Sequence, residues 1–124
     1  TPKYTNTISE RGEIMSFKEI NKIAHSFNIG ERPRFNHYSD PGHSWVRVPF
    51  LFINYLMLKN RISSYSYVKG KWIYLETDCD YSVFLEAFRD HWGRKKDPIL
   101  VDKYTDNISR IRYYDSYCSD LVTV

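Results

Sequence analysis

Residues 34–49 read Arg-Phe-Asn-His-Tyr-Ser-Asp-Pro-Gly-His-Ser-Trp-Val-Arg-Val-Pro. Two strand-like runs, Arg34 to Ser39 and Ser44 to Val48, flank Asp40-Pro41-Gly42-His43. Pro41 presets φ for a turn and Gly42 permits a positive φ, so the four residues are expected to reverse the chain tightly, with Gly42 at positive φ. The stretch is then a β-hairpin. It gathers His37, Asp40, His43 and Trp45 at one tip.

Working outward, the chain upstream divides in two. Residues 1–15 carry no periodicity and read as an extended or disordered arm. Ser16-Phe17-Lys18-Glu19 fits a capping box. Phe17, Ile20, Ile23, Ala24 and Phe27 follow at helical spacing, which predicts a helix ending before Gly30.

Downstream, Pro49 suits the first turn of a helix whose apolar residues run from Phe50 to Leu58 and stop at Lys59-Asn60; a buried strand is the alternative. Ser64 to Val68 alternates polar and aromatic, Lys69-Gly70 turns, and Lys71 to Glu76 returns as a second hairpin. Thr77 to Asp80 is expected to cap a helix carrying Val83, Phe84, Ala87 and Phe88 on one face as far as Trp92, where Gly93 stops it. After the Arg94 to Pro98 loop, Ile99 to Val101 and Ile108 to Tyr114 read as further strands. The order predicts one small α+β domain over 16–124, with an antiparallel sheet built from hairpins and two or three helices on one face.

Composition narrows the classes. A chain of 124 residues holds one core. Hydrophobic residues are 42% and charged residues 27%, near the globular average. No apolar run approaches the roughly 18 residues of a membrane span. The opening Thr1 to Asn6 is polar and lacks a secretory pattern, so a cytoplasmic location is expected. Cys79 and Cys118 fit no metal spacing and no redox motif, and read as reduced thiols. Aromatic residues reach 17%, eleven of them Tyr. Tyrosine is a strand former, and it is also common where a surface binds something.

Tyr38 to Pro49 resembles the "DPGHGWL-x-V-P" segment of small proteins encoded by bacteriophages, plasmids and bacteria. Ile62 to Tyr67 is similar to that family's "ISxYSY", Tyr74 to Asp80 with Phe84-Leu85 to its "YLEEDCD…FL", and Ile111 to Tyr114 to its "IRxY". The segments keep their order over about residues 35–114. The chain departs from the pattern at Ser44, where Gly is usual, and at Thr77, where an acid is usual. The resemblance implies a mobile-element origin and specifies no chemistry.

Three constellations could carry chemistry. His37, Asp40 and His43 could ligate zinc or iron across the hairpin and serve a small metal-dependent hydrolase. The spacing matches no recognised site, so Asp40 is expected to cap the turn, and no stoichiometric metal and no cofactor are expected. Glu76, Asp78 and Asp80 could hold a cation, but their place before a helix favours capping. Cys79 lies between two aspartates, which raises its pKa and argues against a cysteine nucleophile. Residues 89–112 hold seven Lys and Arg against four Asp, with Tyr104, Tyr113 and Tyr114 nearby. That mixture can clamp phosphates and stack bases.

The sequence therefore points first to a non-catalytic phage or mobile-element accessory protein. It would bind and inhibit or modulate a host protein of defence or gene expression. His43, Trp45, Tyr65, Tyr67, Tyr113, Tyr114 and Arg112 are its candidate anchors. The alternative is nucleic-acid binding through 89–112, with Arg110 and Arg112 on phosphate. Val68, Ile73 and Leu75 are the natural core of the second hairpin. Tyr65, Tyr67, Trp72 and Tyr74 then form an exposed aromatic face or, turned inward, most of the core.

Overall fold

In the computed structural model the described residues are 7–8, 14–15, 22 and 32–119. The helix expected between Ser16 and Gly30 lies outside them apart from Lys22, which is helical. Two short strands, β1 (Thr7–Ile8) and β2 (Ile14–Met15), pair antiparallel within the expected arm. Its other residues lie outside the described ones.

The predicted hairpin is present as β3 (Arg34–Ser39) and β4 (Ser44–Pro49), paired through Tyr38 and Trp45. The second hairpin is β5 (Tyr67–Lys69) and β6 (Trp72–Glu76). With β7 (Ile99–Tyr104) and β8 (Asp115–Ser116) they form one six-stranded sheet in the order β7-β3-β4-β6-β5-β8. The fold is α+β with a mostly antiparallel sheet. The exception is β7, which lies parallel to β3 from Arg34↔Ile99 to Ser39↔Tyr104. A strand reached through a crossover helix can return parallel, which a hairpin cannot do.

Among residues 32–119 two α-helices lie between the strands, α1 (Phe50–Tyr55) and α2 (Asp80–Trp92). Opposed residues in paired strands share a face. Val46, Val48, Val68, Ile73 and Leu75 fall on one face, none more than 1% exposed, and the core forms there against Phe35, Phe52, Phe84 and Phe88. Phe35 and Phe52 meet edge-on, 5.5 Å between centroids, and Phe84 meets both in the same way.

α1 ends earlier than its apolar run suggests. Leu58 N–H donates to Ile53 C=O and Met57 N–H to Asn54 C=O, closing a Schellman turn. Met57 holds the left-handed position at φ 58°, where glycine is usual, and Leu58 packs beneath it, 1% exposed. The chain leaves the helix there because burying Leu58 outweighs the cost of a left-handed methionine.

α2 ends at Gly93, φ 101°. Arg89 then grips Asp97 with two nitrogens at 2.7–3.1 Å, which sets the start of β7. The N-terminus differs from expectation. Cys79 is the N-cap and no side chain caps the helix. The Asp80 carboxylate instead accepts from Ser63 N–H, Ser63 Oγ and Ser66 Oγ, so it organises the 63–66 loop.

A left-handed methionine costs about 1–2 kcal/mol, and glycine removes that cost while adding unfolded-chain entropy. Met57→Gly is therefore expected to raise stability by about 0.5–1 kcal/mol in urea unfolding. A loss of stability would contradict the Schellman assignment.

Candidate functional site

The other sheet face carries Tyr38, Trp45, Arg47, Tyr67, Trp72 and Tyr74. It is the aromatic face expected of the second hairpin, but it is not bare. Residues 109–114 fold back across it, and Trp45, Tyr74 and Ile111 form a second small core with Tyr38, Tyr67, Trp72 and Tyr114 packed around it. Tyr74 is buried and Tyr67 and Trp72 are half-buried. Tyr65 precedes β5 in a turn and is 68% exposed, so it does not share the strand alternation.

The strand expected over Ile108 to Tyr114 is instead a 3-10 turn, Arg110–Tyr113, capped by the Ser109 hydroxyl accepting from Ile111 N–H at 3.2 Å. Asp40 holds this turn in place. Its side chain is fully buried and accepts a two-pronged contact from Arg112, Nη2 to Oδ1 and Nε to Oδ2, both 2.7 Å. Oδ2 also accepts from Ser109 N–H at 2.9 Å. Oδ1 accepts from Gly42 N–H and His43 N–H at 3.0 and 2.9 Å. One carboxylate thus fixes both the hairpin turn and the C-terminal return. The Arg112 guanidinium, helped by the backbone donors, holds Asp40 far below the usual carboxylate range despite burial.

This arrangement corrects the expectation for Gly42. Its φ is not in the left-handed region; only Gly70 and Gly93 are, among the described glycines. Glycine is required by close approach instead. A Cβ there would lie 2.8 Å from Arg112 Nη2.

Above the second core the returning turn leaves an open cleft of about 690 Å³. Tyr38, Arg47 and Tyr74 form its floor, and Arg110, Tyr113 and Tyr114 its rim. The Arg47 guanidinium stacks over Trp72 at 4.2 Å and faces Tyr38 at 5.8 Å. Tyr74 and Tyr114 lie 5.2 Å apart, and Lys69 Nζ sits 5.5 Å over Tyr114. Burial, then the neighbouring Tyr114, pushes the Tyr74 hydroxyl up, opposed by its hydrogen bond with Arg47. Tyr113 is 79% exposed and Arg110 is exposed. Neither Arg47 nor Arg110 has a carboxylate ion-pair partner among the described residues.

The structure separates the sequence-predicted anchors. Arg110, Tyr113 and Tyr114 meet at the cleft. Tyr65 is exposed elsewhere, and Tyr67 lies edge-on to Trp45 at 6.2 Å. Trp45 is 1% exposed, so it is core and cannot anchor a partner. Arg112 is committed to Asp40. His43 is exposed beside Trp45, 6.1 Å between rings. Sequence reading missed Arg47, because its cross-strand position to Tyr74 arises from β4 pairing with β6, between the two hairpins and not within either.

His37, Asp40 and His43 do not assemble as a metal set. His37 Nδ1 lies 2.9 Å from Asp102 Oδ1 on β7, and Asp40 is filled by Arg112 and backbone donors. His43 approaches Glu76 and Asp78 instead. The Cys79 thiol is pushed up, as expected, but mainly by its hydrogen bond with Glu76, ahead of the flanking aspartates. Both cysteines are free and exposed. No helix among the described residues is long and apolar enough to cross a membrane.

A carboxylate whose folded pKa is depressed stabilises the fold above its unfolded pKa, about 3.9, and that stabilisation is lost as pH falls toward the folded value. Wild-type stability in urea is therefore expected to fall steadily below about pH 4. Asp40→Asn should be less stable at pH 7 and lose less between pH 4 and pH 2. Parallel pH profiles for the two proteins would show that Asp40 is not the group responsible.

The chain matches no family model, no curated protein and no solved structure.

Proposed function

We propose that this chain is a non-catalytic binding protein whose contact surface is the tyrosine-lined cleft, and that its partner is single-stranded nucleic acid. The observation that carries this is the pairing of Arg47 and Arg110, free of carboxylate ion pairs among the described residues, with the rings of Tyr38, Tyr74, Tyr113 and Tyr114 around one opening. Aromatic faces stack bases of any sequence, and guanidinium groups meet phosphates. Lys69 and Lys71 extend the positive charge along the same side, 5.5 and 5.4 Å over Tyr114 and Trp72. The basic 89–112 segment contributes through Arg110, while Arg112 serves the fold.

A second reading keeps the same surface and changes the partner. Tyr113 is 79% exposed and stands with Arg110 at the rim of the cleft, and exposed tyrosine beside arginine is the composition of protein-interface anchors. On this reading the chain inhibits or modulates a host protein of defence or gene expression. The resemblance to phage and plasmid proteins supports a mobile-element setting for either partner.

A labelled oligonucleotide titrated in rising salt separates them. Binding is expected to weaken steeply with salt, and Arg47→Ala and Arg110→Ala are each expected to lower the salt slope by about one. No binding of single-stranded DNA or RNA at low salt would reject the nucleic-acid reading. Nuclease-resistant capture of a host protein that is lost in Tyr113→Ala would then support the second.

A further inference from the structure

His43, Glu76 and Asp78 converge where the Asp40–His43 turn meets the end of β6. Each offers one ligand atom, and the three atoms lie within 4.8 Å of one another. The two contributing segments are far apart in sequence and are pinned together locally. Thr77 N–H donates to Ser44 C=O at 3.1 Å, and the Ser44 and Thr77 hydroxyls meet at 2.5 Å. On one side the turn is fixed by Asp40, which takes the His43 N–H while its own N–H donates to His43 C=O at 2.9 Å. On the other, Asp78 N–H donates to Glu76 Oε1 at 3.0 Å.

Glu76 is the buried member of the set. It is only 7% exposed, its carboxylate is met by neutral donors, Asp78 N–H and the Cys79 thiol, and no Lys, Arg or His forms an ion pair with it among the described residues. Carboxylates at largely buried residues are commonly met by a countercharge or a metal ion. The Arg112 cation is committed to Asp40.

We propose that His43, Glu76 and Asp78 form a three-ligand site for a divalent transition-metal ion. One imidazole with two carboxylates suits Mn²⁺ or Zn²⁺, whereas Mg²⁺ and Ca²⁺ favour oxygen-only sets. His43 and Asp78 are exposed, so the ion exchanges freely with solvent and keeps open positions for water. This set shares only His43 with the trio read from sequence. It does not rest on the nucleic-acid proposal.

The test is Mn²⁺ titration of the full chain, followed by paramagnetic broadening of backbone amides, with Zn²⁺ as competitor. Saturable one-to-one binding is expected, with the first broadening at His43, Thr77 and Asp78, displaced by Zn²⁺ and not by equal Mg²⁺. His43→Ala and Asp78→Asn are each expected to weaken it by roughly tenfold or more. Both side chains are exposed, so thermal melts of these variants should match wild type without metal. Failure to saturate at millimolar Mn²⁺ would overturn the proposal. So would undiminished binding in both variants, which would mean adventitious surface coordination.

Discussion

The carboxylate of Asp40 receives five hydrogen bonds from three separate parts of the chain: the turn it begins, the Ser109 backbone and the Arg112 side chain. A buried ion pair does not guarantee stability, because desolvation offsets the attraction. Its value here is positional. Between β7 and β8 the return buries little apolar surface beyond Ile111 and Tyr114, since Ile108 and Tyr113 stay exposed. The pairing of β8 with β5 and the buried Tyr117 carry the chain to the far edge of the sheet, and Asp40 fixes where the segment between β7 and β8 crosses. With Arg112 pinned, Ile111 reaches Trp45 and Tyr74, and the aromatic face becomes a floor with a rim. Gly42 belongs to the same constraint, since any larger residue would meet the guanidinium.

The sheet separates two kinds of chemistry by strand alternation alone. The Val, Ile and Leu positions of β4, β5 and β6 face the helices and bury completely. The alternate positions carry Trp45, Arg47, Tyr67, Trp72 and Tyr74, large rings interleaved with a cation. A face of this kind is too apolar to leave bare and too polar to bury fully. The short 3-10 return resolves the conflict by covering Trp45 and Tyr74 and leaving the Arg47 side open. The cleft is the gap between a strand face that needs cover and a segment too short to supply all of it.

Much of this was legible in the residues. The Asp40–His43 turn, both hairpins, the second helix with its Gly93 stop and the Val68, Ile73 and Leu75 core all follow from local pattern. What was not legible depends on contacts between distant segments. Nothing local says that Arg112 returns to Asp40, so Arg112 read as a phosphate clamp and Ile108 to Tyr114 as a strand. Trp45 at a hairpin tip read as an exposed anchor because its cover is contributed by Ile111, far along the chain. Gly42 read as a positive-φ residue because glycine before a histidine in a turn gives no sign of a guanidinium overhead. The parallel register of β7 depends on where α2 delivers the chain. Asp80 read as a helix cap because its true partners, Ser63 and Ser66, sit in an earlier loop.

The central claim is that Asp40 fastens the C-terminal return to the sheet and so shapes the cleft. Native-state amide hydrogen exchange measures this directly at Ser109, whose N–H donates to Asp40 Oδ2 in a buried position. Ser109 is expected to exchange only with global unfolding, at the same free energy as Ile73 in the central strand. Exchange of Ser109 at the rate of exposed loop amides, while Ile73 stays protected, would show that the return is not held by Asp40 and would contradict the account.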